Sequence, residues 1–577
     1  MKIGRGDGIF FAVLAGAVMI VFGSSLFFKE AVVDDIIYVS RFHLLSFSWN
    51  NLKLWSDSVI GLWSPLVGYS FMLDYFVWGK EHIFFGAHLM NILLHFVAAA
   101  GFYTIARMLK FPRLAAGLTV LIWAIHPQRA ESVAWLSERK DVLLLAFGVW
   151  SIVFFVQSLK RKNTGLYVLS AVLFALTFCI KPALIGLPLV LTVYQWGRYR
   201  KTDWRFYVKY SGIFWLLSLV YYIAFRCIVS QGDNIGTVGF LNQLSLMGWR
   251  YGSYFVKTFI PYGLNPYYPH FSLADHSLMP LYAVCAVWLL LLEFCRRRNK
   301  KAIYLYLPLL LSFSAAVAPG LFKIGDVDFA DRYSYFPSIF LLLAAASAIS
   351  ALVRHFPVLR KAVVLLCCCL AVSWGIICFD RVFIWENEEA FSAACLDEAK
   401  PNYRRLIADT VVKFDKRDWN GAMENLVRLR RDYADEIEDR MLTIRLFSDS
   451  IEGVIISESG NPGAGMKKVF QVLSHPKWKL LLNTTFGYPR FLLLKAAGFS
   501  QRAGHKKDAV ELYKRLAAVY GTYEPMEKEF YLALAALCQE DRTTALRHFE
   551  NAHKLNPTDE NIRKNIEILK KHQAKRH

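Results

Sequence analysis

Residues 114–159, LAAGLTVLIWAIHPQRAESVAWLSERKDVLLLAFGVWSIVFFVQSL, decide how the rest of the chain is read. Two apolar runs flank the segment from His126 to Asp141, which packs His126, Arg129, Glu131, Glu138, Arg139, Lys140 and Asp141 around Trp135. Apolar runs of this kind read as membrane spans, because a helix satisfies its own backbone polar groups in lipid. An ion carried to the bilayer centre costs about 2.5–3.5 kcal/mol on insertion scales, so charge stays at the boundary. A merely solvated connection needs no such density of mixed charge beside a tryptophan.

The same alternation extends in both directions. Apolar stretches near 9–28, 86–106, 114–126, 141–159, 165–180, 182–197, 206–229, 280–295, 302–320, 334–353 and 361–379 predict eleven spans. The composition agrees: of 577 residues 55% are hydrophobic and 20% charged, with 44 Phe, 28 Tyr and 16 Trp. A soluble enzyme of this length would divide into several charged-surface domains, and that class is excluded. The expected fold is all-α: a polytopic membrane helix bundle over 1–379, then a soluble helical domain over 380–577.

The formal charge is +21, yet residues 1–379 carry 34 Lys+Arg against 17 Asp+Glu while 380–577 carry 33 against 29. The basic excess thus belongs to the apolar part and marks topology, with no basic, aromatic-interleaved module for nucleic acid. Short basic loops such as Lys160–Lys162 and Arg296–Arg298 lie inside. Long loops at 29–85 and 230–279, with shorter ones at 126–141 and 321–333, lie outside together with everything after residue 379. The working face is therefore the outer one. A span followed by Lys29 and Glu30, with no small-residue cleavage pattern, is not a cleavable signal peptide. The ten cysteines offer no metal framework: Cys367–Cys369 are consecutive within an apolar run, and Cys395 and Cys538 stand alone in the tail.

In the tail, TTALRHFENAHKLNPTDENI places Ala545, Phe549, Ala552 and Pro557 where a tetratricopeptide repeat (TPR) sets its small packing residues, aromatic and helix-ending proline. KDAVELYKRL around Ala509 and DWNGAMENLVRL around Ala422 read as further copies. Solenoids of this kind present a binding surface for proteins, although a capping or assembly domain is the plainer alternative.

Three outer clusters carry candidate chemistry. Asp34 and Asp35 in VVDDIIYV follow the first span, and adjacent carboxylates there suit a general base with a neighbour that tunes it, or a solvated helix cap. The segment 126–141 contributes His126, Glu131, Arg139, Lys140 and Asp141, without the HExxH or comparable spacing of a metal site. FADRYSYFP brings Asp331, Arg332 and Tyr333 to the outer end of span ten; Arg332 is either an interfacial anchor or a fork for a lipid phosphate. Lys181, between two short spans, is a similar cation.

In order along the chain, Asp34-Asp35 with Tyr38, WSPLVGYSFMLDYFVWG (63–79), HLMNILLH (88–95), HPQRAESVAWLSERKD (126–141), KPALIGLPLVL (181–191) and ADRYSYFPS (330–338) resemble one family. It is that of the transmembrane-and-TPR protein O-mannosyltransferases of the endoplasmic reticulum and their bacterial relatives, a branch of the GT-C glycosyltransferases. The resemblance implies a polyprenyl-phosphate-linked sugar donor and transfer to a Ser or Thr of an acceptor protein, with the TPR tail recruiting that acceptor. On the family pattern Asp34 is the base and Asp35 orients or tunes it. Arg332, then Arg139, Lys140 and Lys181, would bind the donor phosphate, with His126, Glu131, Asp141, Asp331 and Tyr333 in support. No cofactor is required by this chemistry, and a divalent cation is left open. Bacterial relatives usually carry His-Pro where this chain has Trp63-Ser64-Pro65, so no histidine role is carried over there. A glycan or lipid acceptor, or a non-catalytic scaffold for envelope assembly, are the competing readings. A bacterial inner membrane with a periplasmic active face is expected, and an endoplasmic-reticulum membrane has the same topology.

Overall fold

The computed structural model describes residues 5–39, 45–49, 51–52, 63–199, 203–229, 240–268, 329–396, 403–434, 438–479, 488–520, 525–557 and 559–574; the chain is all-α, with no strand among them. Among the described residues six helical segments are long and apolar enough to cross a membrane: Gly6–Phe27, Ile83–Met108, Leu136–Arg161, Trp204–Ala224, Ser338–His355 and Pro357–Trp385. Shorter apolar helices occupy Arg113–Ala124, Thr164–Phe178 and Pro182–Trp196. Together these coincide with every expected span except 280–295 and 302–320, which lie outside the described residues. The chain divides into two units, Met1–Cys395 and Leu396–His577. The composition changes earlier, at 380, because Trp385, Phe391 and Cys395 still belong to the apolar core of the first unit.

The long connection between the first and second spans is not all loop. Helix Pro65–Met108 starts well before the second span and breaks at Gly79, whose φ of 65° and ψ of −178° place it in a region open essentially to glycine alone. Beyond the break the helix runs on as the span. Packing between spans uses polar as well as apolar contacts, since lipid supplies no hydrophobic drive for helices to associate. Ser151 and Ser170 show this reciprocally: each hydroxyl donates to the other's backbone carbonyl, at 2.8 and 2.7 Å, joining helices Arg139–Arg161 and Thr164–Phe178. The long segment 230–279, expected as a loop, carries helix Phe240–Phe259.

The second unit is a run of helix pairs with one repeated turn. Arg417, Gly460, Gly504 and Glu540 all have positive φ. In each case the next residue's N–H reaches back five positions: Asp418 to Lys413 O (2.8 Å), Asn461 to Ile456 O (3.2 Å), His505 to Ser500 O (2.8 Å) and Asp541 to Ala536 O (3.0 Å). This is the left-handed helix stop that satisfies otherwise orphaned carbonyls. Asp418, Asn461 and Asp541 then cap the following helix through their side chains. Four residues past each turn's end stands a small buried residue: Ala422, Gly465, Ala509 and Ala545. The pair built on Gly465 escaped the sequence reading because its helix Glu438–Glu458 is long and spreads the period.

At Gly465 the two helices touch backbone to backbone: a Cβ there would lie 2.3 Å from Gly453 O and 2.4 Å from Ser457 N. Neither neighbour can swing aside as a side chain could. Gly465→Ala is expected to destabilise the second unit by about 3 kcal/mol, the upper end for overpacking. Thermal melting of the full chain, read by limited proteolysis of the second unit, checks this; an unchanged melting point would show that the helices can separate cheaply.

Candidate functional site

The strap that leaves the first span carries the acidic pair. Asp34 precedes a single turn, Asp35–Tyr38, and caps it through its backbone alone, with no side-chain cap bond. Its carboxylate is half-buried and accepts no hydrogen bond from another described residue, while its charge is felt by Lys140 and Tyr38. Asp35 is the opposite case, buried with both oxygens engaged. Oδ1 accepts from the Ser137 backbone N–H at 2.7 Å and the Ser137 hydroxyl at 2.5 Å, and Oδ2 accepts from Val32 N–H at 3.2 Å. Burial pushes the Asp35 carboxyl up to about 7, against the bonds from Ser137 and Val32 that favour its charged form. Asp35 thus ties the connection after the first span to the segment 126–141, and Asp34 is left half-buried without a described hydrogen-bond donor.

Across from the strap, three cations converge on one buried acid. Glu138 Oε1 lies 3.4 Å from Lys140 Nζ and 3.3 Å from Arg332 Nε, and Glu138 Oε2 lies 3.9 Å from Lys181 Nζ. Lys181 also pairs with Asp141 at 2.9 Å. Arg332 Nη1 also donates to Glu131 Oε1, and its backbone N–H donates to Oε2 of the same carboxylate at 2.9 Å. Rings back the cations: Arg332 lies 5.4 Å from the Trp135 ring centre and 5.0 Å from that of Tyr333, and Lys181 lies 5.4 Å from Tyr333. The cation side chains keep 11–13% of their surface exposed, whereas Glu131 and Glu138 keep 2%. The cations are therefore the more exposed members of the group and the two acids the more buried. Burial pushes the Glu131 carboxyl up to about 7 even though Arg332 opposes the shift. Burial alone would lower Lys181, but Asp141 and Glu138 hold its ammonium above the ordinary value.

Other expected site residues are used differently. Arg139 is fully buried and turns away into the bundle. It pairs with Asp74, donates to Asn91 Oδ1 at 2.8 Å and Ala87 O at 2.6 Å, and lies 4.1 Å from the Phe71 ring centre. His126 donates from Nε2 to Thr258 O at 3.1 Å and accepts on Nδ1 from Gln128 N–H at 3.2 Å. Both ring nitrogens are thus taken up within the fold, which makes His126 a structural ring. Asp331 is buried and accepts from Tyr268 OH at 2.8 Å and Arg381 at 3.4 Å, closing the site from the side of the third loop. Among the described residues no three His, Cys, Asp or Glu side chains converge to hold a metal. The sequence reading passed over Glu138 as a hub and Ser137 as the grip on Asp35. It also passed over Asp74, whose signal was a lone acid within the apolar run FMLDYF.

No protein-family model matches the chain. Protein O-mannosyl-transferase Tmtc1 of Drosophila melanogaster is 29% identical over 128 residues, which is 22% of this chain and 15% of that protein. Protein O-mannosyl-transferase TMTC1 of Mus musculus is 28% identical over 166 residues, 27% of this chain and 17% of that protein. Protein O-mannosyl-transferase Tmtc2 of Drosophila melanogaster is 30% identical over 105 residues, 18% of this chain and 11% of that protein. The matched stretches span less than a fifth of each relative. They bear out a distant resemblance to the transmembrane-and-TPR O-mannosyltransferases.

Proposed function

We propose that the chain is a membrane glycosyltransferase that moves a sugar from a polyprenyl-phosphate donor to a Ser or Thr hydroxyl of an acceptor protein at the outer membrane face. The observation that carries this is the contrast within the acidic pair: Asp34 accepts no hydrogen bond from another described residue and its charge is felt by Lys140, one of the three cations, whereas Asp35 is bound on both oxygens. Asp34 takes the acceptor's proton as the hydroxyl oxygen bonds to the anomeric carbon. The carbon–oxygen bond to phosphate breaks, its electron pair leaves with the phosphate, and a single displacement inverts the anomeric centre. Arg332, Lys140 and Lys181 meet the charge that builds on the departing phosphate, placed before the reaction so that no reorganisation is needed. Arg139 drops out of the phosphate set because Asp74 and Asn91 already hold it. The repeated helix-pair turns support a TPR-type solenoid in the second unit, which favours a protein acceptor over a glycan or lipid. The basic inner loops support an extracytoplasmic active face, which is periplasmic in a bacterial inner membrane and lumenal in an endoplasmic-reticulum membrane.

The test uses the full chain in lipid nanodiscs with a panel of short polyprenyl-phosphate sugars and Ser/Thr peptides, read by mass spectrometry. Peptides gaining one sugar as the donor loses it is the expected result, and it names the sugar. Donor that is neither bound nor consumed by any preparation would reject the reading in favour of a scaffold.

A further inference from the structure

Val33 has a φ of 53°, a left-handed conformation that is strained for a β-branched residue, and it immediately precedes Asp34. Such strain persists only where the surroundings over-determine it. Besides the Ser137 bonds to Asp35 and the Asp35 N–H bond to Val32 O, three hydrogen bonds hold this strap at Val32 and Val33. Trp135 Nε1 donates to Val32 O at 3.1 Å, Val32 N–H donates to Asp35 Oδ2 at 3.2 Å, and Val33 N–H donates to Glu388 Oε2 at 3.1 Å. The first two come from the outer loops already described. The third comes from the far end of the first unit, in the opening turn of helix Glu388–Leu396, just beyond the last span.

That helix is a rigid support. Phe391 is 1% and Cys395 0% exposed within the bundle's apolar core. One turn earlier, Trp385 stacks on Trp135 with ring centres 4.8 Å apart and planes 12° from parallel. Trp135 is the same ring that lies beneath Arg332 and bonds the Val32 carbonyl. Glu388 is therefore held in place by the exit of the last span and bonds the strained residue that immediately precedes Asp34.

We propose that Glu388 is a positioning residue for Asp34: by accepting the Val33 N–H it keeps the strained turn closed and fixes the direction of the Asp34 carboxylate. The inference rests on the reading of Asp34 as base. Without the acceptor, Val33 relaxes to negative φ and the carboxylate swings, an error of a kind that can cost about 100-fold in rate when near 1 Å.

The test compares Glu388→Ala, Glu388→Gln and the double variant Val33→Gly with Glu388→Ala, in full-length protein in nanodiscs. Hydrogen exchange of the peptide 31–38 reads the clamp without reference to activity, and initial rates read its consequence. Glu388→Ala is expected to speed exchange across 31–38 and to lower kcat about 10- to 100-fold with the donor KM unchanged. Glu388→Gln keeps an oxygen for the Val33 N–H, so it should stay close to wild type in both. Glycine adopts the φ of residue 33 without strain, so the double variant should recover part of the lost kcat. Wild-type exchange and kcat in Glu388→Ala would overturn the proposal, as would an equal loss in Ala and Gln, which would make the charge and not the acceptor decisive. If exchange responds as expected but the wild type transfers no sugar from any donor, the Asp34 reading fails and Glu388 is reduced to a structural tie.

Discussion

Asp34→Asn is expected to lower sugar transfer about 10²- to 10⁴-fold, the range for loss of a general base and equivalent to roughly 3–5 kcal/mol of barrier. The change preserves size and leaves Arg332, Lys140 and Lys181 untouched, so the donor KM should hold while kcat falls. Single-turnover mass spectrometry of the donor lipid gives the number directly. Asp35→Asn is the informative contrast. Its oxygens serve Ser137 and Val32, so its replacement should loosen the strap and lower the melting point, with a smaller effect on the chemical step. Transfer by Asp34→Asn within about threefold of wild type, or a larger loss in Asp35→Asn at unchanged stability, would move the base to the second carboxylate or out of the pair altogether.

The spans were legible because their signal is local: an apolar run long enough for the bilayer needs no knowledge of its neighbours. The helix pairs of the second unit were partly legible for the same reason, through Ala422, Ala509 and Ala545. What stayed hidden depends on direction. Arg139 and Lys140 are adjacent in sequence and equally cationic, yet consecutive helical side chains diverge by about 100°. One turns into the bundle toward Asp74 and the other toward Glu138. No pattern in SERKD says which faces the site; that follows from Asp74 in a different helix. Glu388 was less legible still, because its partner Val33 lies 355 positions away and nothing local marks either end. The break at Gly79 lay in an apolar run where a glycine reads equally well as a packing residue.

Arg332→Met is expected to remove transfer and to destabilise the first unit together, by an amount that grows with pH. Arg332 is the shared partner of Glu131 and Glu138, both 2% exposed, and removing one member of a buried ion pair typically costs about 3–5 kcal/mol because the other charge is left uncompensated. Glu131 can escape that cost by taking a proton. Its folded carboxyl already stands at about 7, above the ordinary value of 4.5, so ionising it costs stability as pH rises from the unfolded value through the folded one. Without Arg332 the folded value moves higher still, and the loss extends further above neutrality. Near pH 5 the Glu131 carboxyl is protonated in both proteins, so the difference in melting point should be at its smallest and reflect only the loss of Arg332 from Glu138; near pH 8 it should be largest. Arg332→Lys restores the charge but not the planar fork, and should recover stability more fully than transfer, since a point charge can balance Glu131 yet cannot grip a phosphate on two edges. A melting-point gap independent of pH would show that Glu131 stays charged without its partner. Full transfer by Arg332→Met would take the phosphate out of Arg332's reach and leave Lys140 and Lys181 to receive it.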